Sequence, residues 1–219
     1  MVGANASPFF SKVCREIKSS HGQEQSFPME NIFNGKIVKD KYLLEENSMD
    51  FMELAKKRYS CKKYQPDKVV EKDKLDKILA AGQVAPTAKN SQPQRIYVMQ
   101  SEEALKIVDS LTPCRYGAPL VMVVAYDTTQ EFVYPGEKYT SGAEDASIVA
   151  THMMLMAAAE GVDSCWLNFF DPDKAAEALK LPKNEKVVLM MDFGYAAEGT
   201  RPTPTHEKTK TMEELVSYR

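Results

Sequence analysis

The sequence predicts an α+β or α/β domain in which a sheet packs against helices. Three observations predict it. Strand-like and helix-like stretches alternate from residue 49 to the C-terminus. Leu120-Val121-Met122-Val123-Val124-Ala125 is an unbroken apolar run of strand length, as expected of a central strand covered on both faces. Residues 142 to 161 carry the longest helical pattern in the chain.

Phe51, Leu54 and Ala55 fall at helical spacing and predict a first helix. Leu75, Ile78, Leu79 and Gly82 predict a second, ending near Pro86. Ile96 to Met99 reads as a short strand, and Ala104, Leu105 and Val108 mark a third helix. In the long helix of 142–161, Ile148, Thr151, His152, Leu155, Met156 and Ala159 are expected to form the apolar face. Its Met and Ala content suits a subunit interface as well as a monomer core. Ser164 to Leu167 is the next strand. Asp171-Pro172-Asp173 supplies an N-cap, a first-turn proline and an acidic residue for a short helix. Val187 to Phe193 is the last core strand, closed by Gly194, and a final helix begins at Met212.

Residues 1–48 differ from the rest, with scattered charge, Ser/Gln-rich polarity near residues 19–26 and little periodicity. They are expected to be an N-terminal extension, mobile or draped over the surface, or a short arm on a partner subunit. Residues 12–18 are too polar around Cys14 for the apolar core of a secretory signal. Residues 49–219 form the expected domain.

The chain of 219 residues is long enough for one domain with a substantial core. With 43% hydrophobic and 27% charged residues it reads as soluble and globular. A net charge of -3 gives no overall pull toward nucleic acid or an anionic membrane, and no apolar run approaches a spanning length. Cys14, Cys61, Cys114 and Cys165 include no Cys-x-x-Cys pair, which argues against zinc and a disulfide framework and fits a reducing cytoplasm. His21, His152 and His206 lack metal-ligand spacing, so no metal site is expected. There is no P-loop, dinucleotide glycine fingerprint or Ser-His-Asp arrangement.

Two stretches carry the chemistry. Arg58-Tyr59-Ser60-Cys61-Lys62 places a guanidinium, a hydroxyl and an ammonium within five positions. The first two can grip a phosphate while the third points elsewhere. Arg58 also reads as a helix-end arginine on last-turn carbonyls. About two dozen residues later, Pro86-Thr87-Ala88-Lys89-Asn90-Ser91-Gln92-Pro93 is a turn where backbone can approach a flat ligand and amides can read a ring edge. Asn90 and Gln92 also read as turn-capping amides. Glu144-Asp145, at the start of the long helix, reads as compensation of the helix dipole rather than an acid–base pair.

The first stretch resembles the opening flavin motif of the nitroreductase family, Arg-x-Ser-x-Arg/Lys. The second resembles its Pro-Ser-x-x-Asn-x-Gln-Pro motif, and the spacing between them fits. The resemblance runs from about Met49 to the C-terminus. It implies a three-layer α+β sandwich with a central, mainly antiparallel sheet flanked by helices, built as an intertwined homodimer. It also implies FMN at the subunit interface, with NADH or NADPH as electron donor. A small electron-poor acceptor, such as a nitroarene, quinone or activated alkene, would be reduced at the same site by a ping-pong mechanism.

By that resemblance Arg58, Tyr59 and Ser60 lie at the phosphate and ribityl chain. Lys62 lies near N1 and O2 of the ring, where an ammonium favours the reduced flavin. Pro86, Thr87, Ala88, Asn90 and Gln92 reach the flavin from the partner subunit. Thr87 and Ala88 stand where family members commonly have two serines, so one hydroxyl is lost. Asn168 and Phe169 match the strand-end whose backbone N–H groups meet flavin N5 and O4. Here Trp166-Leu167-Asn168-Phe169-Phe170 departs from the family's Pro-Ile-Glu-Gly-Phe. Trp166 reads as a core residue or as part of the pocket. Lys208 and Lys210 resemble the closing Lys-x-Arg phosphate grip but lack the arginine fork; they also read as a solvated pair. Only fourteen residues separate Asp127 from Gly142, where longer members insert a helical excursion. The resemblance leaves room for a specialised member acting on flavin or halogenated substrates. A flavin-storage protein without turnover is a reading from another class.

Overall fold

A four-stranded antiparallel sheet in the order β1-β2-β4-β3 organises the molecule. The computed structural model describes residues 50–219, so the extension predicted over 1–48 lies outside the described residues. The strands are β1 (Gln94–Met99), β2 (Leu120–Asp127), β3 (Asp163–Leu167) and β4 (Glu185–Gly194). Around them lie α1 (Phe51–Lys57), α2 (Lys72–Gln83), α3 (Glu102–Leu111), α4 (Gly142–Ala159), α5 (Pro172–Ala178) and α6 (Met212–Leu215).

Alternation along the strands builds two cores. Leu120, Met122 and Val124 of β2 join Leu189, Met191 and Phe193 of β4 beneath α2 and α4. Val121, Val123 and Ala125 face the other way and pack with Met190 and Leu167 beneath α3 and α5. Every residue of β2 is therefore buried, the fate expected of its continuous apolar run. Helices on both faces make this a three-layer α+β sandwich.

Local chemistry sets the helix starts. Ser101 Oγ accepts from Ala104 N at the start of α3. Asp171 Oδ1 accepts from Asp173 N and Lys174 N ahead of Pro172, as the sequence predicts for α5. α2 approaches α4 closely because Gly82 has no side chain: a Cβ there would stand 2.9 Å from Met153 Cγ.

The structure corrects the buried face of α4. Ala146, Val149, Ala150, Met153 and Ala157 are buried against the sheet, whereas Ile148 is exposed and His152, Leu155 and Met156 are half-buried. The helix is apolar nearly all round, so periodicity alone does not select one face. The final helix is a single turn, closed by a capping box between Thr211 and Glu214.

Candidate functional site

The Arg58–Lys62 stretch leaves the C-terminus of α1 as extended backbone and joins the sheet beside β3. Ser60 bridges Ser164 in parallel, and Cys61 N donates to Ser164 O at 3.0 Å. Tyr64 continues the pairing past the end of β4 through a bridge to Ala196. Parallel register carries Lys62 toward the C-terminal end of β3, where its charge acts on the Cys165 thiol. Thus Arg58, Ser60, Lys62, Asn168 and Phe169 lie along one edge of the sheet.

Arg58 is half-buried at the mouth of two clefts. One, of about 210 Å³, is lined with it by Tyr59, Ala158, Gly161 and Ser164. The other, of about 580 Å³, is lined by Ala55, Lys56, Arg58, His206, Glu207 and Thr209. Among the described residues, Arg58, Lys62, Lys208 and Lys210 form no ion pair. Lys208 and Lys210 are exposed and flank Thr209 without lining either cleft.

Sequence reasoning missed His206. Its Nε2 lies 3.0 Å from Lys56 O, and its ring meets Tyr59 edge-on with centroids 6.4 Å apart. That contact docks the C-terminal segment on the end of α1. Glu207 enters the larger cleft as well, so a negative charge shares the space beside Arg58.

The strand-end after β3 is held from two sides. Thr112 Oγ1 donates to Phe169 O at 2.8 Å, and Trp166 Nε1 donates to Asn168 Oδ1 at 2.5 Å. Asn168 and Phe169 are exposed, and their own N–H groups donate to no acceptor among the described residues. Two donors are therefore presented on a fixed backbone. Trp166 is half-buried against the core under α4 and supports this strand-end through its indole. Burial first, then the nearby Asp192, pushes the Cys165 thiol up to about 12, so it stays protonated near neutral pH and is no nucleophile.

The Pro86–Gln92 stretch stands at the opposite edge, just before β1. It contains a single 3₁₀ turn over Ala88–Asn90. Lys89, Asn90 and Gln92 have φ of 53°, 54° and 50°, the left-handed region that non-glycine residues rarely adopt. Such residues cost on the order of 1–3 kcal/mol each and persist only where their surroundings dictate them. The surroundings here are specific. Thr87 O accepts from Asn90 N, Thr87 Oγ1 accepts from Gln92 N, and Ala88 N donates to Asp145 Oδ1 at 2.8 Å. Pro86, Asn90 and Gln92 are exposed, whereas Thr87 and Ala88 are half-buried. Lys89 Nζ lies 4.5 Å from the Phe132 ring centroid, linking this loop to the hairpin closed by the Val133–Thr140 bridge. That hairpin is what the short Asp127–Gly142 connection forms.

One copy therefore holds the two stretches apart. The Arg58 cleft abuts Ala158 near the end of α4, and the Ala88 loop is tied to Asp145 in its first turn. Thirteen residues of helix at about 1.5 Å each put them about 20 Å apart.

The Nitroreductase family's sequence model matches residues 55–114 and 111–195. A nitroreductase family protein from Clostridium difficile 630 superposes with a TM-score of 0.72 at 40% identity, covering 78% of this chain and 98% of its own. A protein of Methanothermobacter thermautotrophicus named NADH dehydrogenase/NAD(P)H nitroreductase is 29% identical over 166 residues, 71% of this chain and 83% of its own. A nitroreductase from Exiguobacterium sibiricum 255-15, solved in complex with FMN, shares the fold with a TM-score of 0.68 at 21% identity. It covers 78% of this chain and 98% of its own. With its profile matched across both core layers and both flavin-type stretches, the chain belongs to the nitroreductase family.

Proposed function

We propose that this protein is an FMN-dependent, NAD(P)H-using oxidoreductase that works as a homodimer with two sites shared between subunits. Family membership and the NAD(P)H nitroreductase names of its relatives support the reaction class. The Exiguobacterium neighbour was solved in complex with FMN, and the groups present here fit that ligand. Arg58 offers an unpaired cation beside open clefts, and the Asn168–Phe169 strand-end offers two free N–H donors.

The observation that carries the shared site is the separation along α4. The Arg58 cleft lies about 20 Å along α4 from the Thr87–Gln92 loop of the same chain, and Lys62, Asn168 and Phe169 stand across the sheet from that loop, about 14 Å away over three strand spacings. A two-fold axis returns the equivalent loop from a second copy. Exposed Ile148 and half-buried Leu155, on the face of α4 turned from the sheet, suit burial in that interface.

FMN, when bound, supplies two-electron chemistry, accepting a hydride from the reduced nicotinamide and delivering electrons to an acceptor that takes its place. This chain's part is to bind and orient. Arg58 and Ser60 hold the phosphate end, and Lys62 places positive charge where reduction adds negative charge. The 168–169 N–H groups fix the reactive edge. Lys208 and Lys210, exposed on the C-terminal segment, add positive potential near the phosphate. The acceptor is a small electron-poor molecule, and its protons come from solvent.

Acid release of the chromophore followed by chromatography tests the cofactor: FMN is expected, and FAD or no chromophore after reconstitution overturns the reading. Anaerobic addition of NADH or NADPH should bleach the visible flavin band. A flavin that stays oxidised with both donors indicates a carrier instead of an enzyme.

A further inference from the structure

Asp145 is buried, with 2% of its surface exposed, although it sits in the first turn of α4. Its two oxygens are both taken: Oδ1 accepts from Ala88 N at 2.8 Å and Oδ2 from Ser141 Oγ at 2.7 Å. A carboxylate that only balances a helix dipole has no need of burial, and exposed Glu144 next to it already meets that need. Asp145 instead turns inward and grips the start of the left-handed loop.

The bonds inside that loop are short-range and are available to many turns. Ser91 N reaches Ala88 O, Asn90 N reaches Thr87 O, and Gln92 N reaches Thr87 Oγ1. The Ala88–Asp145 bond is the one that ties the loop to α4, across 57 residues of sequence. Without it the Ala88 N–H loses its acceptor, and nothing else on α4 selects the left-handed conformations of Lys89 and Asn90.

We propose that Asp145 is a positioning residue that acts across the dimer: it fixes the Thr87–Gln92 loop in the shape that contacts the partner's flavin. This rests on the shared-site reading above. Asp145 then influences the partner's flavin through the loop that contacts it, and leaves its own chain's flavin half-site, about 20 Å away along α4, intact.

Two substitutions and one mixing experiment test it. Asp145→Leu removes both acceptors and keeps the branched heavy-atom shape, with somewhat greater bulk. Asp145→Asn keeps an acceptor for Ala88 N and can donate to Ser141 Oγ. FMN dissociation constants should rise about tenfold or more for Asp145→Leu homodimers, and by less than about threefold for Asp145→Asn. Unchanged FMN affinity in Asp145→Leu overturns the proposal. Asp145→Leu chains are then mixed with Arg58→Ala chains, and heterodimers are identified by native mass spectrometry. One site in each heterodimer collects both defects and the other neither, so one tightly held FMN per heterodimer is expected. A substitution that merely damaged its own subunit would restore none. The control mixes Asn90→Ala with Arg58→Ala. If the control recovers one tight site and Asp145→Leu does not, the trans role of Asp145 is wrong and the shared site stands. If neither mixture recovers a site, the shared-site reading itself fails. Should Asp145→Leu not fold, Asp145→Ala leaves room for water at the Ala88 N–H and carries the same mixing test.

Discussion

Thr112 and Phe169 are joined by a 2.8 Å hydrogen bond from the threonine hydroxyl to the phenylalanine carbonyl. Thr112 is buried at the end of α3, and its hydroxyl also accepts from Cys114 N. Through that one side chain, the layer behind the sheet sets the backbone that presents the Asn168 and Phe169 N–H groups. Thr112→Val keeps the shape and loses the bond. It should lower the reduction potential of bound FMN and shift its absorbance, because the N–H donors are aimed less well. Thr112→Ser should restore both. A potential equal to the parent's in Thr112→Val refutes this coupling.

Arg58→Ala should weaken FMN binding roughly ten- to hundredfold, since a charge-assisted contact contributes about 1.5–3 kcal/mol. Lys62→Ala should act on the potential more than on the affinity, making reduction harder. Flavin titration and potentiometry on both variants separate the two roles. Equal FMN affinity in Arg58→Ala removes the phosphate assignment.

Glu207→Gln should tighten FMN binding. Glu207 lines the cleft beside Arg58 and would oppose a phosphate bound there. The group is exposed, so salt screens it and the expected gain is about twofold at low ionic strength. Titrations at low and high salt test it, and a gain that persists at high salt rejects an electrostatic origin.

Asp192 should make stability fall with rising pH. It is fully buried on β4, and neither carboxyl oxygen has a partner among the described residues. Arg115 is committed to Asp109 through two bonds of 2.6 and 2.7 Å and to Ala118 O. Burial accordingly pushes the Asp192 carboxyl up to about 9, partly opposed by Arg115. Between the unfolded value near 4 and this folded value, the folded chain holds a proton that the unfolded chain releases. Its relative stability is therefore full below pH 4 and declines toward pH 9. Asp192→Asn should remove that slope. Its Tm should match the parent's trend near pH 4 and exceed it by about 5 °C or more near pH 9, given about 2–4 °C per kcal/mol at this size. Parallel Tm curves rule out the buried acid.

The sequence by itself determined much of this protein. The apolar run of β2, the Asp171-Pro172 helix start and the first helix all follow from neighbouring residues, because period and capping are local properties. Arg58, Ser60, Lys62 and the Pro86–Gln92 turn can be proposed as flavin contacts from sequence for the same reason: their chemistry lies in short runs. Tertiary structure alone decided which way α4 turns, since a helix apolar nearly all round encodes no single buried face. It alone brought Ser60 beside Ser164, His206 to Lys56 across 150 residues, Thr112 to Phe169 and Ala88 to Asp145 across 57 residues each. Each contact joins a polar group to backbone far along the chain. A backbone N–H or C=O is the same at every residue, so no pattern of side chains marks which of them a distant hydroxyl, imidazole or carboxylate will meet.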